Sequence, residues 1–217
     1  MQQELFSRDF FKFNMNLTPI KMYFSRGKPE RMKRISTIID NEFNWLSHNS
    51  DPKAVLTVLP AASIAEWLWT QADMIAATVV TLGKKPESRV NELFSTKQAE
   101  RALVIDTLAS GLVDFCAKQI YQNIVTIAEQ NQLNYTGRIS PGGVDLDFSY
   151  QKKLLDLVDL ASIGVTLTTG SMMIPVKSTS FLTLLGKNID RNLGCSHCRN
   201  CNKIKKCEYG KFGIFTP

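Results

Sequence analysis

Several function classes are missing from this sequence before any motif is read. No apolar run approaches the roughly 18 residues a membrane-spanning helix needs, and the charged, aromatic start "MQQELFSRDFFKF" has no signal-peptide apolar region, which sets the cytoplasm as the expected compartment. There is no phosphate-binding loop and no dinucleotide fingerprint. The chain's two histidines, His48 and His197, have no partner pattern for acid–base or triad catalysis. Internal repeats and low-complexity linkers are absent as well, so the 217 residues read as one core domain with at most a small appendix.

What is present fits a folded globular protein, with 44% hydrophobic and 21% charged residues. The net charge of +6 is unevenly placed. From Lys187 onward seven cations face only Asp190 and Glu208, while the preceding body is close to neutral. The same tail holds four of the five cysteines, Cys195, Cys198, Cys201 and Cys207, in a C-x2-C-x2-C-x5-C spacing. In a reducing compartment such clustering points to metal or redox chemistry. Zinc ribbons usually offer two separated C-x2-C pairs, whereas successive x2 spacings resemble a loop around a 4Fe-4S cluster. An iron-sulfur cluster, a zinc site and a free or partly oxidised tail all remain open. Thiolates on a metal would offset part of the tail's positive charge. The fifth cysteine, Cys116, falls on the apolar face of a helix and reads as an inert core residue.

The body reads as α+β, a mainly antiparallel sheet flanked by helices. A polar start leads into "PERMKRISTIIDNEF", where Met32, Ile35, Ile38, Ile39 and Phe43 share one helical face. "KAVLTVLP" and "MIAATVVTLG" read as strands, "SIAEWLW" as a short strand or helical turn, and "KPESRVNELFS" as a helix. The longest helical periodicity runs from about Thr96 to Gln130 through Ala99, Ala102, Leu103, Ala109, Leu112, Val113, Cys116, Ile120 and Ile124. "NYTGRISPGG" ends it; a short helix follows at about Tyr150 to Leu160, then strands in "GVTLTTGSMMIP" and "STSFLTLLG". This divides the chain into a body over 1–190 and a cysteine-rich tail over 191–217.

Four segments in order carry a resemblance: "TLG" at Thr81 to Gly83, "VIDTLASGLVDF" on the long helix, "RISPGG" from Arg138 to Gly143, and "IGVTL" with "PVKS" further on. Together they resemble the activation domain of cobalamin-dependent methionine synthase, and more closely its free-standing relatives in anaerobic bacteria. The match runs from about Asp51 to the tail and is weak before it. The resemblance implies that fold, and a role in reactivating a corrinoid-dependent methyltransferase by S-adenosylmethionine-dependent reductive methylation of cob(II)alamin. The corrinoid would sit on a partner protein, and the electron would come from a flavodoxin- or ferredoxin-like donor. A non-catalytic module that docks on a corrinoid protein is the alternative. A nucleic-acid binder using the basic tail ranks last, since the aromatic interleaving of single-strand platforms is missing.

The site residues that the resemblance implies are Arg138, Ser140, Gly142, Gly143, Asp114 and Lys177. Arg138 can grip a carboxylate through two parallel hydrogen bonds, and Asp114, where the family has a glutamate, can pair with an ammonium. Pro141 stiffens the turn, Gly142 and Gly143 let a ligand approach the backbone, and the Ser140 backbone is placed to hydrogen-bond it. Each has a structural alternative: Arg138 as a loop brace, Asp114 paired with Lys118 at i,i+4, and Lys177 as a solvated turn lysine instead of a contact to phosphate or to the corrinoid's side chains. Asp106 reads as structural. The family commonly has Tyr where this chain has Gly143, which removes a phenol from the neighbourhood of the cobalt.

Overall fold

The structure, a computed structural model, describes residues 2–64, 71–143, 145–189 and 193–194. In chain order it contains β1 (Gln2–Phe6), α1 (Thr18–Ser25), α2 (Pro29–Asn49), β2 (Lys53–Pro60), β3 (Met74–Thr81), α3 (Lys85–Ser95), α4 (Ala99–Gln130), β4 (Asn134–Tyr135), α5 (Gln151–Leu155), β5 (Thr166–Leu167), β6 (Met173–Ile174) and β7 (Ser178–Gly186). Five strands form one sheet in the order β1-β2-β3-β7-β4, with every neighbouring pair antiparallel, and β5 and β6 make a separate small ribbon.

Strand alternation divides the core in two. Ala54, Leu56, Ala76, Val80, Phe181 and Leu185 point to one face and pack with the helices, α4 foremost. Val55, Ile75, Val79, Leu182 and Leu184 point to the other, under Leu154, Leu155 and Ile163. Helix α4 lies between the sheet and the remaining helices and is apolar around most of its circumference, as a doubly covered helix must be. Buried Glu42 of α2 accepts a hydrogen bond from Arg101 Nε at 2.7 Å and pins α2 to the start of α4.

Several expectations from the sequence change in detail. The N-terminal segment begins with an edge strand: β1 pairs with β2 along its length, from Gln2 opposite Val58 to Phe6 opposite Ala54. Five residues with weak alternation do not announce a strand, and the partner supplies the order. Helix α4 starts three residues late because Thr96 closes α3, its N–H donating to the Glu92 carbonyl. The helix expected over Tyr150 to Leu160 shortens to α5, behind a single turn at Phe148–Tyr150 capped by Asp147. In "GVTLTTGSMMIP" only two short strands form, joined by a turn in which the Ser171 N–H donates to the Thr168 carbonyl. Within "SIAEWLW", Ser63 and Ile64 belong to a 3-10 turn over Ala61–Ile64, and 65–69 lie outside the described residues, as do all four tail cysteines.

The segment expected to be a break, "NYTGRI", is the sheet's far edge. After β4, Thr136 exchanges bonds with Leu184 through both its N–H (3.1 Å) and its hydroxyl, which accepts from the Leu184 N–H at 3.0 Å. The chain then rejoins β7 at an Ile139–Leu182 bridge. Arg138 therefore sits on a short edge strand and not on a free loop.

Candidate functional site

One face of α4 escapes the core. Leu103, expected on the buried stripe, is 53% exposed, and Asp106, Ser110 and Asp114 follow it along the same side at i, i+4 and i+8. From Asp106 to Asp114 the helix rises about 12 Å. Strand β7 runs beside it, and from Lys177, just before that strand, to Phe181 is about 13 Å. The two lengths match, so cations carried by or beside β7 meet the carboxylates of α4 at both ends of the row.

At the first end the Lys177 ammonium lies 2.7 Å from Asp106 Oδ1 and donates to Ser110 Oγ at 2.9 Å. The Lys177 side chain is 11% exposed and that of Asp106 47%. The turn carrying Lys177 is stitched to the end of β3: the Leu82 N–H donates to the Lys177 carbonyl at 3.0 Å, and Ser178 Oγ donates to Thr81 Oγ1 at 2.8 Å. The "TLG" and "PVKS" segments are thus one structural corner.

At the second end Arg138 Nη1 stands 2.9 Å from Asp114 Oδ1, with the side chains 19% and 30% exposed. Ile139 faces the second core, so strand alternation turns Arg138 to the α4 side, where its guanidinium lies over the ring of Phe181 at 5.7 Å. Tyr121, two turns below Asp114 on α4, donates its hydroxyl to the Thr136 carbonyl at 3.0 Å and fixes the edge strand's start. Burial raises that phenol's pKa, keeping it protonated as a donor. Burial, with the Asp114 charge second, pushes the Cys116 thiol up to about 12, which agrees with an inert core cysteine.

Beyond Arg138 the chain makes a type II turn over Ser140 to Gly143: the Gly143 N–H donates to the Ser140 carbonyl at 2.9 Å, Pro141 occupies the second position, and Gly142 takes the positive φ of 78° that the third requires. Gly143 has its own constraint. A Cβ there would stand 2.7 Å from the Ser140 carbonyl oxygen, so this turn has no room for the family's tyrosine without opening. Gly142 and Gly143 are exposed, and the turn presents bare backbone one step from Arg138.

The residues singled out in the sequence therefore gather along one helix face. Arg138 and Asp114 meet directly, with Ser140, Gly142 and Gly143 in the adjoining turn, and Lys177 lies at the far end of the row. Phe181 beneath Arg138 and the partner of Lys177 were not foreseen, although the i, i+4, i+8 spacing of Asp106, Ser110 and Asp114 was readable. Chemically, the Arg138–Asp114 pair is a cation and an anion side by side on a partly exposed ledge, the complement of an amino acid's carboxylate and ammonium. Among the described residues no group of three or more His, Cys, Asp or Glu side chains could hold a metal ion. No helix among them is long and apolar enough to cross a membrane.

No family model matches the chain, and no curated protein matches its sequence. A solved structure does: the MetH reactivation domain bound to AdoHcy superimposes with a TM-score of 0.64 at 15% identity, over 87% of this chain and 79% of that one. That coverage exceeds what the chain from Asp51 onward can supply, so the likeness includes part of the N-terminal segment where the sequence resemblance was weak. At this identity the likeness establishes architecture: the chain has the fold of the MetH reactivation domain.

Proposed function

We propose that this chain binds S-adenosylmethionine at the Arg138–Asp114 ledge and uses it to reactivate a corrinoid-dependent methyltransferase. One electron, from a flavodoxin- or ferredoxin-like donor, would reduce partner-bound cob(II)alamin to cob(I)alamin. That product would take the methyl group from the sulfonium, leaving methyl-cobalamin and S-adenosylhomocysteine. The observation that carries the reading is the 2.9 Å Arg138–Asp114 pair beside a bare-backbone turn, on the fold of a domain whose solved structure holds AdoHcy.

The chain's own residues contribute binding and positioning. The Arg138 guanidinium, braced by Phe181, takes the ligand carboxylate, and Asp114 takes the ammonium. The turn from Ser140 to Gly143 offers backbone to the rest of the amino-acid moiety. Lys177, 11% exposed and already shared between Asp106 and Ser110, braces the far end of the row. The four tail thiols fit a metal by donor type and number, and a redox-active cluster there would supply electron transfer.

Calorimetric titration with S-adenosylmethionine and S-adenosylhomocysteine tests the reading. Saturable binding of both at one site per chain is expected; no binding of either would leave a non-catalytic docking module as the better account. Protein purified without oxygen is expected to be brown and to hold about four irons per chain, as a 4Fe-4S cluster requires. Replacing Cys198 and Cys201 by Ser should remove the iron while S-adenosylmethionine binding by the body persists. Zinc without iron in the same preparation would make the tail a structural clip.

A further inference from the structure

Arg138 owes its aim to one extra residue in its strand. Thr136 stands opposite Leu184 and pairing resumes at Ile139 opposite Leu182, so Gly137 and Arg138 together face the single residue Thr183 of β7. This is a β-bulge, a device that bends an edge strand and re-aims a side chain. Counted from Thr136, an unbroken ladder would put Arg138 opposite Leu182, on the face of the second core. The inserted residue gives that core position to Ile139 and leaves Arg138 on the α4 side.

Two hydroxyls hold the bulge. In a regular antiparallel pair the Thr136 carbonyl would accept from the Leu184 N–H. Here the Thr136 hydroxyl accepts in its place at 3.0 Å, and it donates in turn to the Gly137 carbonyl at 2.9 Å. The displaced Thr136 carbonyl accepts from the Tyr121 hydroxyl at 3.0 Å. The two peptides that precede Arg138 are thus each fixed through their carbonyl by a side-chain hydroxyl, and the Gly137 N–H leaves the ladder for the Leu193 carbonyl at 2.9 Å. Helix α4 therefore supplies both the carboxylate that meets Arg138 and the phenol that holds its strand.

We propose that Tyr121 and Thr136 are positioning residues for the ligand carboxylate, their hydroxyls holding the bulge in the arrangement that brings Arg138 to Asp114. Both hydroxyls are committed to backbone and act on the ligand only through the arginine. Without the Tyr121 hydroxyl the Thr136 carbonyl is left without a donor and turns back toward the Leu184 N–H, so the bulge relaxes. The guanidinium then spends less of its time where its fork can meet a carboxylate, and affinity falls although no contact to the ligand has been removed. This rests on the ligand site proposed above.

Calorimetric titration of the full chain with S-adenosylhomocysteine tests this role. Tyr121→Phe removes one hydroxyl and should weaken binding about 3- to 10-fold, the effect of one lost hydrogen bond. In an Arg138→Ala background the same substitution should change affinity by less than about twofold, because the arginine it positions is gone. Thr136→Val removes the other hydroxyl at nearly constant shape and should weaken binding at least as much, whereas Thr136→Ser keeps the hydroxyl and should stay within about twofold of the parent. If Thr136→Val does not fold, the Tyr121 arms decide alone. Unchanged affinity in Tyr121→Phe, an equal loss with and without Arg138, or a Thr136→Ser variant as weak as Thr136→Val overturns the positioning role. No S-adenosylhomocysteine binding by the parent chain overturns the ligand site itself and this role with it.

Discussion

The two ends of the acidic row on α4 are built from the same parts and are prepared for different tasks. At one end the Lys177 ammonium is nearly enclosed and already shared between Asp106 and Ser110, in a corner sewn to β3. At the other, Arg138 gives one nitrogen to Asp114, rests on an aromatic face, and is followed by a turn with exposed glycine backbone. A compact ammonium with two close acceptors has little left to offer. A guanidinium has five donors in a planar fork, and one contact to a carboxylate leaves several for a second. Burial and pairing alone do not distinguish the ends; unused donor capacity does.

The sharpest way to break the comparison is Arg138→Ala. It removes the fork that would take the ligand carboxylate, and the expected loss in S-adenosylmethionine affinity is about 1.5–3 kcal/mol, the range for hydrogen bonds to charged groups. Calorimetry on a variant whose circular dichroism matches the parent reads it directly. Unchanged affinity would reduce Arg138 to a brace for the edge strand, no different in kind from Lys177.

Much of this arrangement was readable in the residues, and where it was not the cause is tertiary. The bounds of α3, β7 and most of α4 follow from periodicity and from Pro and Gly punctuation, since those elements bury one face or both and must show it in sequence. Edge strands need not. β1 and the stretch from Asn134 to Ile139 are short, gain order from one neighbour, and read as polar or breaking segments. The exposure of Leu103 went unread for the same reason: spacing placed it on a helical face but could not say which face the sheet leaves open. Arg138 and Asp114 were found through resemblance to a family. Their direct contact needed the fold.

A second, smaller effect separates the carboxylates. Asp114→Asn keeps the shape and one acceptor beside Arg138 while deleting the charge that would hold an ammonium. Ligand affinity should fall by about 1 kcal/mol or somewhat more, and the melting temperature should move little, because the amide oxygen still accepts from Arg138 and the guanidinium keeps its place over Phe181. A drop in melting temperature with affinity intact would assign Asp114 to the architecture of the edge strand.

The smallest effect sharpens the comparison most, because it repeats the same substitution at the other end of the row. Asp106→Asn deletes the charge facing Lys177 and leaves an oxygen in place, with Ser110 still accepting from the ammonium. Asp106 is almost half exposed, so the expected cost to stability is about 0.5–1 kcal/mol, within the range for surface ion pairs. Lying about 12 Å along the helix from Asp114, the change should leave S-adenosylmethionine affinity within twofold of the parent. Parallel titrations of Asp106→Asn and Asp114→Asn therefore decide where the amino-acid end of the ligand rests. If both variants lose affinity alike, the whole row is the binding surface and the ligand lies along α4 instead of being anchored at one end.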